Sequence, residues 1–213
     1  MKILAVDTSS PDIFLAVCEY SDRWESSKTS FSPVARDKDN WIELCILEFM
    51  GDSALNDFDG FAAGSGPGSF TSLRISFTYL KTLAILWEKI FLTFSSSLFY
   101  HKYFCEPDEI LLIRQNRSML CAFDPETKIP SNKAQSLEDW MREIPQNRHG
   151  KLRIWNPYSE IPDNGLQLVS SKKITNPPVI PDFPQPDFMK SHRKELLQEL
   201  PLYGHDIITH RKI

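Results

Sequence analysis

Several features are missing from this chain of 213 residues, and each absence removes a class of protein. There is no run of five or six like charges and the formal net charge is -4, so the sequence carries no electrostatic footprint for nucleic acid or an anionic membrane. Any contact with RNA is expected to be local or delegated to a partner. No stretch reaches the roughly 18 uninterrupted apolar residues of a membrane helix, because LAILWEKIFLTF is broken by Glu88 and Lys89. The opening MKILAVDTSS has too short an apolar run before Asp7 for a secretory signal. A soluble, cytoplasmic chain with no membrane contact is the expectation. The four cysteines, Cys18, Cys45, Cys105 and Cys121, form no C-x-x-C pair and sit in apolar runs, which favours buried reduced thiols over a disulfide frame or zinc site. His101, His149, His192, His205 and His210 make no H-E-x-x-H, Cys-His or Ser-His-Asp pattern, and Ser69 lacks the G-x-S-x-G setting of a hydrolase nucleophile. The sequence therefore nominates no catalytic residue and no metal ligand set.

What is present is concentrated in the first ninety-odd residues. Lys2 to Asp7 and Asp12 to Tyr20 are rich in strand formers, and DRWESSKTSF offers a more polar third strand. A helical pattern covers Asp37 to Met50, with Asp39 or Asn40 as cap and Gly51 as stop. A strand at Phe58 to Ala63, a glycine-rich loop, a long helix from about Thr71 to Trp87 and a strand at Lys89 to Phe94 follow. The order β-β-β-α-β-α-β predicts a mixed α/β layer with helices packed on a sheet. Beyond residue 95 the pattern is thinner: a short helix in SLFYHKYF, two strands within Glu109 to Asp124, a capped helix from Ser136 to Ile144, and strands in KLRIWNP and LQLVSS. NPPVIPDFPQP, from Asn176 to Pro186, reads as a linker, with a short amphipathic helix after it. The expected organisation is a first lobe over 1–95, a smaller α/β lobe over 96–175, and a Pro-rich linker, helix and tail over 176–213. No internal repeat is visible.

GFAAGSGPGSFTSLRIS, Gly60 to Ser76, resembles a phosphate loop at first sight. No lysine follows the last glycine, as a Walker A loop requires, and Gly64, Gly66 and Gly68 have the wrong spacing for a dinucleotide fingerprint. Pro67 also removes one backbone donor. Two readings stay open: an anion site at a helix N-terminus, or a tight strand-to-helix turn with a packing role. Asp7 is equally two-sided. In a nucleotide site it would hold a magnesium-bound water, with Thr8 and Ser9 on phosphate; otherwise it closes an Asx-type turn. An enzyme built on Asp7 needs a second acidic strand end, which the sequence does not offer. The helices add a different signal. After its first turn the earlier one is apolar all round apart from Glu43 and Glu48, and the later one is similar, so each must bury a second face, against the other helix or against a partner.

KILAVDTSS at the N-terminus and AAGSGPGSFTSLRIS some sixty residues later resemble the TsaB (YeaZ) family, strongly over about residues 1 to 95 and thinly beyond. The resemblance implies the actin/sugar-kinase/heat-shock-ATPase fold, with two lobes, the first beginning β-β-β-α-β-α and the second reduced here. It further implies a non-catalytic subunit in the synthesis of tRNA N6-threonylcarbamoyladenosine, one that docks and stabilises the TsaD transferase alongside the ATPase TsaE. Such a subunit homodimerises when its partner is absent, meets tRNA only through the complex, and has no cofactor of its own, ATP and magnesium belonging to the partner or the subunit boundary. The implied interface comprises Trp41, Ile42, Cys45, Ile46 and Phe49 of the first helix, Gly66, Pro67, Gly68, Ser69, Phe70 and Arg74 at the turn, and Phe77, Leu80 and Ala84 of the second helix. Departures are Ser72 and Ser76 where the family has glycine, the polar run Arg36 to Asn40, Arg114-Gln115-Asn116 in place of an Asp-Ala-Arg turn, and only Pro201 and Tyr203 of the closing motif. The competing reading is a small-molecule kinase or ATPase of the same fold that uses Asp7 and the glycine loop.

Overall fold

In a computed structural model the described residues are 1–10, 12–33, 39–114, 118–124, 126, 133–155, 167–169 and 181–198. β1 (Lys2–Asp7), β2 (Asp12–Tyr20) and β3 (Trp24–Pro33) form an antiparallel meander. α1 (Trp41–Met50), β4 (Gly60–Gly64), α2 (Phe70–Leu86) and β5 (Ile90–Phe94) follow, with β4 parallel to β1 and β5 parallel to β4. The first sheet is thus β3-β2-β1-β4-β5, and the β-β-β-α-β-α-β order expected from sequence is the one that forms. β1 and β4 are buried on both faces, which is why they read as unbroken apolar runs and not as alternation. Leu4, Val6, Phe61, Ala63 and Phe91 meet α1 and α2 on one side, while Ile3, Ala5, Ala62, Leu92 and Phe94 face the other. Asn40 holds the N-cap position of α1 without a side-chain bond, and Gly51, at φ 63°, ends the helix with its N–H on the Leu47 carbonyl.

α3 (Ser96–Phe104) carries the chain to the second sheet, with Ser95 accepting from the Leu98 N–H as its cap. Its Phe99 and Tyr100 share a cluster with Phe14 and Phe94 of the first sheet and with Leu111 and Ile113 of the second. The second sheet comprises β6 (Ile110–Arg114), β7 (Leu120–Phe123), β8 (Ala134–Gln135), β9 (Leu152–Trp155) and β10 (Gln167–Val169), with α4 (Leu137–Glu143) between β8 and β9. Its order is β10-β9-β6-β7-β8, with β6, β7 and β8 antiparallel and β9 and β10 parallel to β6. Counted from β6 this is the arrangement of the first sheet, strand for strand and sense for sense. The repeat is one of topology, with no counterpart visible in the sequence. As expected, Ser136 caps α4, accepting from the Asp139 N–H at 3.1 Å and donating to its carboxylate at 2.7 Å.

The end of the chain departs from a free linker. Residues 181–185 run extended along the first lobe. The expected single helix divides at His192 into α5 (Pro186–Ser191) and α6 (Arg193–Leu196), which bury Met189 and Leu196 in the core of the first lobe. Arg36 to Lys38, Gln115, Asn116, residues 176–180, Pro201, Tyr203, His205 and His210 lie outside the described residues, as do the outer parts of KLRIWNP and LQLVSS. Among the described residues no helix is long and apolar enough to cross a membrane.

Candidate functional site

Asp7 ends the central strand β1 with its carboxylate fully buried. Its Oδ1 accepts from the Ser9 N–H at 2.9 Å, the Ser9 hydroxyl at 2.5 Å and the Tyr100 hydroxyl at 2.7 Å, and its Oδ2 accepts from the Ser96 hydroxyl. The Ser9 bond is the Asx turn that the sequence allowed; the donors from α3 complete it. A carboxylate that accepts this many bonds is held by charge-assisted hydrogen bonding, and each such bond contributes on the order of 1.5–3 kcal/mol. Burial, and then the charge of Asp7 and its hydrogen bond, hold the Tyr100 phenol well above its ordinary range, so Tyr100 stays a donor. Thr8 does not face an open cleft. Its Oγ1 lies 2.7 Å from the hydroxyl of Ser76, one of the two serines that replace family glycines, so the extra side chain is absorbed by a partner.

The glycine loop packs against this knot. A Cβ on Gly64 would stand 1.8 Å from Asp7 Oδ2, and one on Gly68 would stand 2.3 Å from the Ser9 carbonyl oxygen. Gly66 has φ 94° and precedes a cis bond to Pro67; its N–H donates to Ser96 at 2.9 Å. The Ser69 N–H donates to the Ser9 carbonyl at 2.8 Å, and the Ser69 hydroxyl contacts that of Ser72 at 3.1 Å. These glycines admit the carboxylate and the Ser9 backbone at contact distance, which is the close-approach reading of the loop. Sequence reasoning found Asp7 and the loop but missed Ser96 and Tyr100. The one local sign was the run Ser95-Ser96-Ser97 before a helix. In the second lobe the residue at the end of β6, topologically equivalent to Asp7, is Arg114, also buried. The paired carboxylates that a magnesium-nucleotide site of this architecture requires are therefore not both present.

The expected partner interface needs redrawing. Trp41, Ile42, Ile46, Phe49, Phe77, Leu80 and Ala84 are buried in the chain's own core, against the sheet, and Gly66, Pro67 and Gly68 are buried in the turn. A partner meets instead the residues between them: Leu44 at 40% and Leu47 at 47% exposure on α1, Ile85 at 56% and Leu86 at 68% at the end of α2, with half-buried Cys45, Ile75, Tyr79 and Leu83. Of the expected set, Phe70 and Arg74 are exposed and Ser69 is partly so. The Tyr79 phenol is raised above its usual range first by burial and then by Glu43, which places that α1 carboxylate beside α2. Each helix is thus apolar on two sides, as read from sequence, but the solvent side is marked by Glu43 and Glu48.

Two lobes of identical strand order, the first β-β-β-α-β-α-β, define a mixed α/β protein of the actin/sugar-kinase/heat-shock-ATPase class. Residues 33–113 match the model of the family described as TsaD: tRNA N6-adenosine threonylcarbamoyltransferase, and this segment belongs to the TsaD/YeaZ family. Among solved structures, the chain is similar to YeaZ from Pseudomonas aeruginosa at 21% identity and a TM-score of 0.44, covering 60% of this chain and 62% of that one. It is also similar to a crystal structure described as an uncharacterized protein with similarity to peptidase YEAZ from Pseudomonas aeruginosa, at 20% identity and a TM-score of 0.41, covering 63% and 62%. The chain spans about three fifths of the length of these structures. No curated protein matches it.

Proposed function

We propose that this protein is a docking subunit of the tRNA N6-threonylcarbamoyladenosine machinery, without catalysis of its own, that binds and stabilises a TsaD-like transferase in the cytoplasm. The observation that carries this reading is the exposed apolar side of α1 and α2, Leu44, Leu47, Ile85 and Leu86, on helices whose opposite sides already fill the core. Partly exposed leucines and isoleucines beside a polar rim are the composition of a protein-binding surface. The sealed Asp7 supports the same reading, since its lone pairs are taken by Ser9, Ser96 and Tyr100 and a magnesium-bound water would have to displace them. In this proposal ATP and magnesium reside at the partner or the subunit boundary, a TsaE-like ATPase joins the assembly, tRNA is met only through the complex, and the same face closes a homodimer when the partner is absent.

The test is size-exclusion light scattering of the chain mixed with the TsaD-like protein of its own host. A heterodimer is expected, weakened about 100-fold by Leu44→Asp with Leu47→Asp, since central apolar contacts of an interface carry roughly 2 kcal/mol or more each. No complex at micromolar concentration would sink the reading. Magnesium-dependent nucleotide binding by the isolated chain, read by calorimetry, would favour the kinase or ATPase alternative.

A further inference from the structure

On the side of the first sheet away from α1 and α2, the chain meets its own distant segment in a way that resembles ligand recognition. Residues 181–186 read Pro-Asp-Phe-Pro-Gln-Pro, and Gln185, at φ -64° and ψ 145°, has polyproline II geometry. The segment lies on a groove made by Tyr20 and Trp24, whose rings meet edge-on at 5.2 Å, and by Phe94 at the end of β5. The Phe183 ring sits between Trp24, at 5.3 Å and 75°, and Phe94, at 6.4 Å and 80°. The Trp24 indole N–H donates to the Pro184 carbonyl at 3.1 Å from 160 residues away, and the Tyr20 hydroxyl donates to Gln185 Oε1 at 2.6 Å. Lys102 pairs with Asp182. Aromatic faces with an indole donor aimed at a proline carbonyl are the means by which grooves take proline-rich peptides, which offer carbonyls but few N–H donors.

The hold is light. Asp182, Pro184 and Gln185 are exposed, the Lys102 pair is at the surface, and a cavity of about 190 Å³ lined in part by Phe94, Leu98, Phe99 and Pro181 stays open beside the segment. The firm anchors come afterwards, where α5 and α6 bury Met189 and Leu196. The segment can therefore lift about Pro186 while the helices stay.

We propose that the Tyr20–Trp24–Phe94 groove is a peptide-binding site for extended proline- and phenylalanine-containing segments, covered in cis by residues 181–186 as a displaceable ligand. The test uses the full chain carrying Asp182→Lys and Phe183→Ala, both at partly or fully exposed positions, titrated with a fluorescent peptide of residues 178–187 and read by polarisation. The variant is expected to bind the peptide at least tenfold more tightly than the wild-type chain, where the tethered segment competes at an effective concentration on the order of millimolar. Adding Trp24→Phe, which keeps the ring and removes the donor, should weaken binding roughly tenfold, the worth of one good hydrogen bond. Where the double variant loses its cooperative melt, Asp182→Lys alone serves, with the same ordering expected at smaller amplitude. No binding to a folded variant, or binding indifferent to Trp24, would overturn the proposal.

Discussion

Replacing Asp7 by alanine separates a structural carboxylate from a catalytic one. In the wild type that side chain accepts four hydrogen bonds from three residues, all inside the protein. Without it the Ser9 and Tyr100 hydroxyls can still bond each other, since they already lie 3.2 Å apart, but the Ser9 N–H and the Ser96 hydroxyl lose their acceptor. An orphaned buried donor costs on the order of 1–3 kcal/mol, and a small cavity adds to it, so a loss of about 3 kcal/mol is expected. For a chain of this length that corresponds to a melting temperature lower by about 6–12 °C. Thermal unfolding followed by circular dichroism reads it, with Ser96→Ala and Tyr100→Phe as partial deletions expected to lose about half as much each. The two should combine with Asp7→Ala less than additively, because they share one acceptor. A surface or metal-holding carboxylate behaves differently: its removal leaves the melt unchanged or raises it. An Asp7→Ala chain that melts within 2 °C or so of the wild type would refute the whole account of the strand end.

Alkaline titration should expose Tyr100 directly. Its phenol is raised in the folded state, so its contribution is fully present below the ordinary tyrosine range and is lost as pH rises beyond about 10, by up to about 1.4 kcal/mol per pH unit, a slope that Tyr100→Phe removes in denaturant titrations. Gly64→Ala and Gly68→Ala, whose Cβ atoms would strike Asp7 and Ser9, should yield little soluble protein, whereas Gly150→Ala, with nothing within 4 Å, should melt within a few degrees of the wild type; equal behaviour of the three would contradict the close-approach reading. Burial pushes the Cys18, Cys105 and Cys121 thiols up to about 12, so iodoacetamide at pH 8 should leave these three unmodified until the fold is lost, as peptide mapping would show.

The first lobe was legible because its signals are local. The unbroken apolar runs of β1 and β4, the glycine stop at Gly51 and the Ser136–Asp139 cap each declare themselves within a few residues. The knot at Asp7 was not, since its partners Ser96 and Tyr100 lie 89 and 93 residues away. The second sheet repeats the first in topology, yet β8 has two residues and β10 three, too short for a period of two to show. On α1 the sequence told that two sides are apolar but the side facing water was misplaced. Glu43 and Glu48 carried that information. At 100° per residue Leu44 and Leu47 lie beside them, while Trp41, Ile42, Ile46 and Phe49 turn inward.

The two strand ends give the duplication its meaning. In a two-lobed protein of this architecture the equivalent ends of β1 and β6 mark corresponding positions in the two lobes, and here one carries a carboxylate and the other a guanidinium. The carboxylate is spent on Ser9, Ser96 and Tyr100, so it fastens the first hairpin and the glycine loop to α3, the helix whose Phe99 and Tyr100 also pack against β6. Residues that would serve phosphate chemistry in a nucleotide-binding relative thus serve rigidity between the lobes. A rigid joint at this point fixes where α2 begins, through the Ser69 N–H on the Ser9 carbonyl, and so fixes the helix that carries Tyr79, Leu83, Ile85 and Leu86. Loosening the knot with Tyr100→Phe should therefore weaken docking of the proposed partner although Tyr100 is buried far from that face, whereas an exposed change such as Arg142→Ala should leave docking unaltered.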